Sequence, residues 1–253
     1  MDYTLLGQAA ATSEDLTVER KTTREAPRAG VALLRLVDYI ETGRHEAKNP
    51  QHKPSLKVML TFELSHPDHM IELDGKKVPQ KITVRVNKTY SDKGKYMPLF
   101  KAMNRALGGG FNHFVQMIDK PMLGHIYHNE WEGKKYANLD IDGSWSFAEP
   151  LMKDPIAGTS TPVPVPELHG TPKVFLWGAE GLTDEQQLEM WESIYIEGTR
   201  TNEAGKEISK NWIQETIMDN IEWEGSVIQA LTQEHVSLDE EEAPEGALPS
   251  LDD

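Results

Sequence analysis

The sequence predicts a mainly β fold with added α, in which a five-stranded barrel is followed by an α-rich accessory region. Three observations predict it. Apolar residues alternate with period two in several short runs, a stretch of helical spacing stands between the third and fourth of those runs, and helical spacing returns beyond a proline-rich strap.

Residues 1–27 are polar and without sustained periodicity, and read as a loosely ordered arm. Val31 to Ile40 is rich in β-branched and aliphatic residues and reads as the first strand. Ser55 to Leu64 alternates cleanly. Leu56, Val58, Leu60, Phe62 and Leu64 share one face, and Lys57, Met59, Thr61 and Glu63 are expected to look outward. Lys81 to Tyr90 repeats the pattern, with Ile82, Val84 and Val86 inward and Lys81, Thr83, Arg85 and Asn87 outward. Tyr96 to Leu107 then switches to helical spacing, with Pro98 tolerated in the first turn and Gly108 as the stop. Two further strands, Met122 to Trp131 and Lys135 to Phe147, are joined by a turn at Glu132, Gly133 and Lys134. The order β-β-β-α-β-β over residues 28–150 is that of the OB-type Greek-key barrel, which binds oligonucleotides on its second and third strands and connecting loops. A β-sandwich with a helical insertion has the same order, because order does not fix closure.

Residues 151–172 hold Pro155, Pro162, Pro164, Pro166 and Pro172 and read as a linker or surface strap. Residues 173–236 resume compact patterning. Val174 to Trp177 predicts a short strand, Thr183 and Gln186 form a capping box that opens a helix, and Ser209 to Trp223 predicts another. Their apolar stripes are expected to pack on the barrel. Residues 237–253 carry seven acidic groups and no base, too little apolar material for a core, and read as a disordered acidic tail.

The net charge of −15 argues at first sight against a polyanionic partner. Its distribution reverses the argument: residues 28–150 hold 18 Lys and Arg against 14 Asp and Glu, whereas residues 151–253 hold 5 against 22. A mildly basic body with an acidic end fits either an interaction tail or a solubilising one. Single strands are bound by a positive groove combined with aromatic rings on which bases stack. Candidate phosphate contacts are Arg44, Lys48, Lys53, Lys57, Lys81, Arg85, Lys88, Lys134 and Lys135. Candidate stacking rings are Tyr39, Tyr90, Tyr127, Trp131, Tyr136 and Trp145, each of which fits a core position equally well. Candidate partner-binding groups are Asp239, Glu240, Glu241, Glu242, Glu245, Asp252 and Asp253 in the tail.

Enzyme motifs do not assemble. There is no cysteine, so no disulfide, thiolate metal site or cysteine nucleophile exists, which suits a reducing compartment. His125 and His128 fall on opposite faces of a strand, and His66 and His69 lack a third ligand at a recognised spacing. Gly108 to Gly110 are not followed by the Lys-Ser/Thr of a phosphate loop. Asp140 and Asp142 share a face without a third carboxylate and read as solvent-facing. No catalytic residue, metal or cofactor is expected. Neither a signal peptide nor a membrane segment is expected either.

The stretch Gly30 to Phe147 resembles the single-stranded DNA-binding proteins of tailed bacteriophages. The likeness lies in Lys95-Tyr96-Met97-Pro98-Leu99, Ala106-Leu107-Gly108, Met122-Leu123-Gly124 and Gly133-Lys134-Lys135-Tyr136-Ala137-Asn138. Met190-Trp191-Glu192-Ser193-Ile194 and Ser209-Lys210-Asn211-Trp212-Ile213-Gln214 are similar to a C-terminal region of some of them. The resemblance covers about two thirds of the chain and rests on packing and turn residues. It implies an OB-fold protein of the host cytoplasm that coats and protects single strands in phage replication and recombination. It also implies that an acidic tail recruits replication or recombination proteins. The chain ends Leu251-Asp252-Asp253, without the aromatic residue with which such tails often finish. A phage structural or assembly protein whose β-domain binds other proteins is the alternative, and monomer or homo-oligomer remain open.

Overall fold

The computed structural model describes residues 25–242 apart from positions 74, 155, 203 and 204. The expected arm up to residue 24 and the last eleven residues of the tail lie outside this range. The fold is mainly β. Five strands form the body: β1 (Gly30–His45), β2 (Ser55–Leu64), β3 (Lys81–Asn87), β4 (Pro121–Trp131) and β5 (Lys134–Asn138). Helix α1 (Tyr96–Ala106) lies between the third and fourth, as expected. Two short strands, β6 (Phe147–Ala148) and β7 (Lys173–Phe175), join the same sheet, in which β1 pairs with β2, β4 and β7, β2 with β3, and β4 with β5 and β6.

The five strands neighbour one another in the order 3-2-1-4-5, and the sheet is open. β3 and β5 come alongside each other without pairing, so the expected closed barrel is corrected to an open sheet. The expected fifth strand, Lys135 to Phe147, accounts for part of this. It ends at Asn138, and a separate hairpin follows in which Asp140 pairs with Trp145 and Ile141 with Ser144. Between them Asp142 and Gly143 have φ of 50° and 79°, the pattern of a two-residue turn that reverses the chain.

β1 is long because it bends. Its register against β2 slips by one residue between Leu36 and Asp38 and again between Glu41 and Gly43, and each bulge kinks and twists the strand. Tyr39 thereby points into the first of two cores while Ile40 faces the other side of the sheet. The first core holds Leu34, Leu36, Leu60, Phe62 and Met122, plugged by Leu99 and Met103 of α1. Gly124 lets β4 cross this core closely, since a Cβ there would lie 2.7 Å from Leu34.

A second core covers the opposite face of β1 and β2. It is built from Ile40 and Met59 with Phe175 of β7, Ile194, Ile213, Ile217 and Ile228. Helix α2 (Asp184–Ser193) begins at Thr183, whose hydroxyl caps Gln186 while the Gln186 side chain returns the bond, the capping box read from the sequence. Helix α3 (Trp212–Met218) is shorter than expected, because Glu207–Ser209 forms a strand with Thr199–Thr201. Helix α4 (Val227–Glu242) was not anticipated and runs six residues into the stretch expected to be disordered. The accessory region packs on the body through this second core, over Met59, which was read as outward. Among the described residues no helix is long and apolar enough to cross a membrane.

Candidate nucleic-acid interface

The β4–β5 hairpin projects beyond the core. Its two-residue loop, Glu132 and Gly133, has φ of 49° and 74°, positive at both positions as a type I′ turn requires. Tyr127 pairs with Asn138, Asn129 with Tyr136 and Trp131 with Lys134. Directly opposed residues share a face of an antiparallel ribbon, so Tyr127, Asn129, Trp131, Lys134, Tyr136 and Asn138 lie on one side. Trp131 is 69% exposed and Tyr136 47%. Tyr127 is half-buried and leans on His125, with ring centroids 4.5 Å apart. An aromatic ring exposed to this extent in water gains little from its own fold and retains most of its stacking surface for a partner.

Beside the hairpin, the open seam between β3 and β5 forms a cleft of about 510 Å³, whose lining includes Lys81, Ile82, Lys135 and Tyr136. Gln80 at the head of β3 donates to the Glu25 carbonyl at 3.0 Å, and the His128 ring meets the Pro27 carbonyl at 2.7 Å, so residues 25–27 border the cleft. Lys81 and Lys135 thus line one cleft together with Tyr136, a combination of cations and ring suited to a phosphate backbone and its bases.

The other candidate residues separate. Lys57 and Arg85 share the outer face of β2 and β3 and line a second cleft against Trp212 of α3. Arg44 is tied to Glu222 at 2.7 Å. Lys48 and Lys53 lie on the exposed connection between β1 and β2. Tyr90 is 77% exposed and meets Tyr96 edge-on at 6.4 Å. Residues 239–242 form the end of α4, and Glu245, Asp252 and Asp253 lie outside the described residues.

Three candidates are corrected: Trp145 packs in the first core rather than facing a base, and the other two belong to one buried network. Tyr39 is fully buried and cannot meet a base. Its hydroxyl donates to Glu41 at 2.8 Å and lies 2.9 Å from the Tyr96 hydroxyl. Burial, reinforced by the Glu41 charge, pushes its phenol far above the usual tyrosine range. Lys88 is bound to the same Glu41 at 2.6 Å, and although burial opposes its charge, that partner holds its ammonium above the ordinary lysine value. The physical reason is shared: the bulges of β1 turn Tyr39 and Glu41 to the inside, and Lys88 neutralises the buried carboxylate. The other oxygen of Glu41 accepts the Trp177 backbone N–H at 3.3 Å, which ties the accessory region to this network.

The outward set of β2 is corrected as well. Met59 is 4% exposed beneath the accessory helices, Thr61 is 8% exposed and Glu63 1%. Glu63 accepts from Arg35 at 3.0 Å, and Arg35 also reaches Asp119 at 3.1 Å and Ser65 at 3.1 Å. This buried cluster was not singled out in the sequence, where Arg35 is one charge inside an apolar run. A single charge in such a run, facing a charge of opposite sign at the far end of the next strand, was the available signal.

Comparison of the chain with family models, with curated proteins and with solved structures finds no match.

Proposed function

We propose that the protein binds single-stranded DNA without strong base preference, stacking bases on the β4–β5 hairpin and holding phosphates at Lys81, Lys134 and Lys135. The observation that carries this reading is the exposed aromatic face of the hairpin, where Tyr127, Trp131 and Tyr136 stand at alternate positions with Lys134 among them. Rings exposed on a ribbon beside a cleft bearing two lysines supply both terms of single-strand binding, stacking worth ~1–3 kcal/mol per base and electrostatic attraction along the backbone. The strand order supports an OB-type body, in which the loop between the fourth and fifth strands is one of the two that contact oligonucleotides. The setting suggested by the resemblance is protection of single strands in phage replication or recombination, with the acidic C-terminal end recruiting proteins of those processes. In this reading the chain needs neither cofactor nor catalytic group.

The test is a fluorescence-anisotropy titration of the full chain with labelled oligo-dT and with a duplex of equal length at several salt concentrations. The expected result is preference for the single strand and a log-linear fall of affinity with salt, because phosphate contacts release counterions. Equal affinity for duplex, or an affinity indifferent to salt, overturns the reading.

A further inference from the structure

We propose that the cleft between the outer face of β2–β3 and helix α3 is a second subsite, which holds a phosphate ester carrying a base between Lys57 and Arg85, with Trp212 as its wall. This inference rests on the single-strand reading and extends the bound strand onto the accessory region.

The placement follows from register. Lys57 pairs with Asn87 and Met59 with Arg85, so all four side chains emerge on the same face of the sheet. The second core covers Met59, which leaves Lys57, Arg85 and Asn87 along the rim of the accessory region. There α3 brings Trp212 under the guanidinium, with Arg85 Cζ 5.3 Å from the ring centroid. A guanidinium lying over a ring keeps its N–H edge available, and that edge matches the oxygens of a phosphate in paired hydrogen bonds.

Charge points to the same ligand. The chain carries 41 acidic residues, and the accessory region that closes this cleft is strongly acidic. No Asp or Glu lines the cleft, however, and among the described residues neither Lys57 nor Arg85 has a carboxylate within ion-pair distance. Two cations and no anion on one wall make a site that an anion completes. The cleft, at about 370 Å³, is larger than a phosphate needs and falls in the range of small-molecule sites. Its apolar floor at Met59 and its Trp212 wall suit a planar base beside the phosphate. His45 stands at the edge, its Nε2 fixed 2.9 Å from the Thr42 carbonyl.

The consequence is specific. The accessory region contributes one wall of a binding site, and does more than cover the sheet. The same chemistry could come from one unit of a bound strand or from a free nucleotide, and the test separates them. The full chain and the variants Lys57→Gln, Arg85→Gln and their combination are titrated with labelled oligo-dT across a salt series, and with thymidine monophosphate and inorganic phosphate by calorimetry. Circular dichroism confirms folding. Both substitutions fall on partly exposed side chains, and Trp212→Phe keeps a ring under Arg85. The expected result is a three- to tenfold loss of oligo-dT affinity for each single variant and a salt slope lower by about one to two in the combination, one per lost phosphate contact. Trp212→Phe should lose less than either.

Folded variants with unchanged affinity and unchanged slope overturn the subsite and leave the single-strand reading standing. If the wild-type chain binds no oligo-dT, the single-strand reading falls. The cleft is then upheld as a free-nucleotide site only if thymidine monophosphate binds the wild type, more tightly than inorganic phosphate does, and not the double variant. Absence of that binding overturns it too.

Discussion

Gly43 of β1 lies directly against Asn220 at the end of α3: a Cβ built on Gly43 would stand 2.5 Å from the Asn220 side chain. Gly43 also has φ of +83°, a conformation that costs other residues roughly 1–2 kcal/mol. Next to it, the Arg44 carbonyl accepts the Ile221 N–H at 2.9 Å. The bulge at the end of β1 is thus where the accessory region locks onto the sheet.

Gly43→Ala should therefore lower stability by about 2–4 kcal/mol, combining backbone strain with overpacking against Asn220. Gly181→Ala is the control. Gly181 has nearly the same φ, +84°, and nothing within 4 Å of a built Cβ, so its loss should be confined to the backbone term of about 1–2 kcal/mol. Urea denaturation of both variants measures the difference. Equal losses would show that the contact with Asn220 relaxes without cost.

Acid should destabilise the fold in a window set partly by His69. The ring is 6% exposed and its Nδ1 has no hydrogen-bond partner. Burial, helped by the neighbouring His66, lowers its pKa below the ordinary histidine value. The unfolded chain then takes up the proton first, so stability is unaffected by this group above about pH 6.5 and falls as pH drops below it, until the folded-state pKa is passed. His113, also lowered by burial, acts in the same direction. His69→Gln should flatten the decline between pH 7 and 5 while leaving the His113 share, as read from denaturant midpoints at each pH. A variant with the unaltered pH slope would remove His69 from the account.

On the hairpin, Trp131→Ala should weaken oligo-dT binding by roughly five- to 160-fold, the span of one lost stacking contact of ~1–3 kcal/mol. Tyr136→Ala should do the same, and Tyr39→Phe should leave affinity intact, because Tyr39 lies wholly inside the core. Stability should move the opposite way. Trp131 is mostly solvent-exposed, so its loss should alter the melting temperature little, whereas Tyr39→Phe removes a hydroxyl bonded to Glu41 and Tyr96. Anisotropy and thermal melts on the same samples read both effects. Loss of stability without loss of affinity at Trp131 would reassign the ring to packing.

Alternation at Leu56 to Leu64 and Ile82 to Val86 made the central strands legible, as did the capping box at Thr183 and the helix after Lys95. What the pattern concealed was the second covering layer. A strand buried on both faces reads as half-buried when its second face carries Lys57, Thr61 and Glu63, and the position of Arg35 across the sheet, with the Ser65 hydroxyl, explains why Glu63 is tolerated there. Two local signals were present and unread. Asp142-Gly143 marks the turn that cuts the fifth strand short. Ser226, whose hydroxyl accepts the Gln229 N–H at 3.3 Å, starts α4. The hairpin rings were legible as candidates, but their exposure was not, because a Tyr or Trp on a strand has the same spacing whether it faces core or water. Tyr39 and Trp131 are the two outcomes of one pattern.

The acidic C-terminal end should compete with the DNA. It is covalently joined to a body that presents Lys57, Lys81, Arg85 and Lys135, and attachment to the same chain raises the effective concentration of its charges near those cations. α4 carries the chain in helical form as far as Glu242, so the acidic groups fall into two sets. Asp239 to Glu242 belong to the helix end, and Glu245, Asp252 and Asp253 follow it. Truncation after Glu242 removes three carboxylates, and truncation after His235 removes all seven. If the end acts as a competing polyanion, oligo-dT affinity should rise with each truncation, more for the longer one, and both gains should shrink as salt screens the tethered charges over a Debye length of about 10 Å at 0.1 M. Equal gains for the two truncations would assign the competition to the segment beyond the helix alone. Unchanged affinity for both, at low and high salt, would leave the acidic end a solubilising segment with no part in binding.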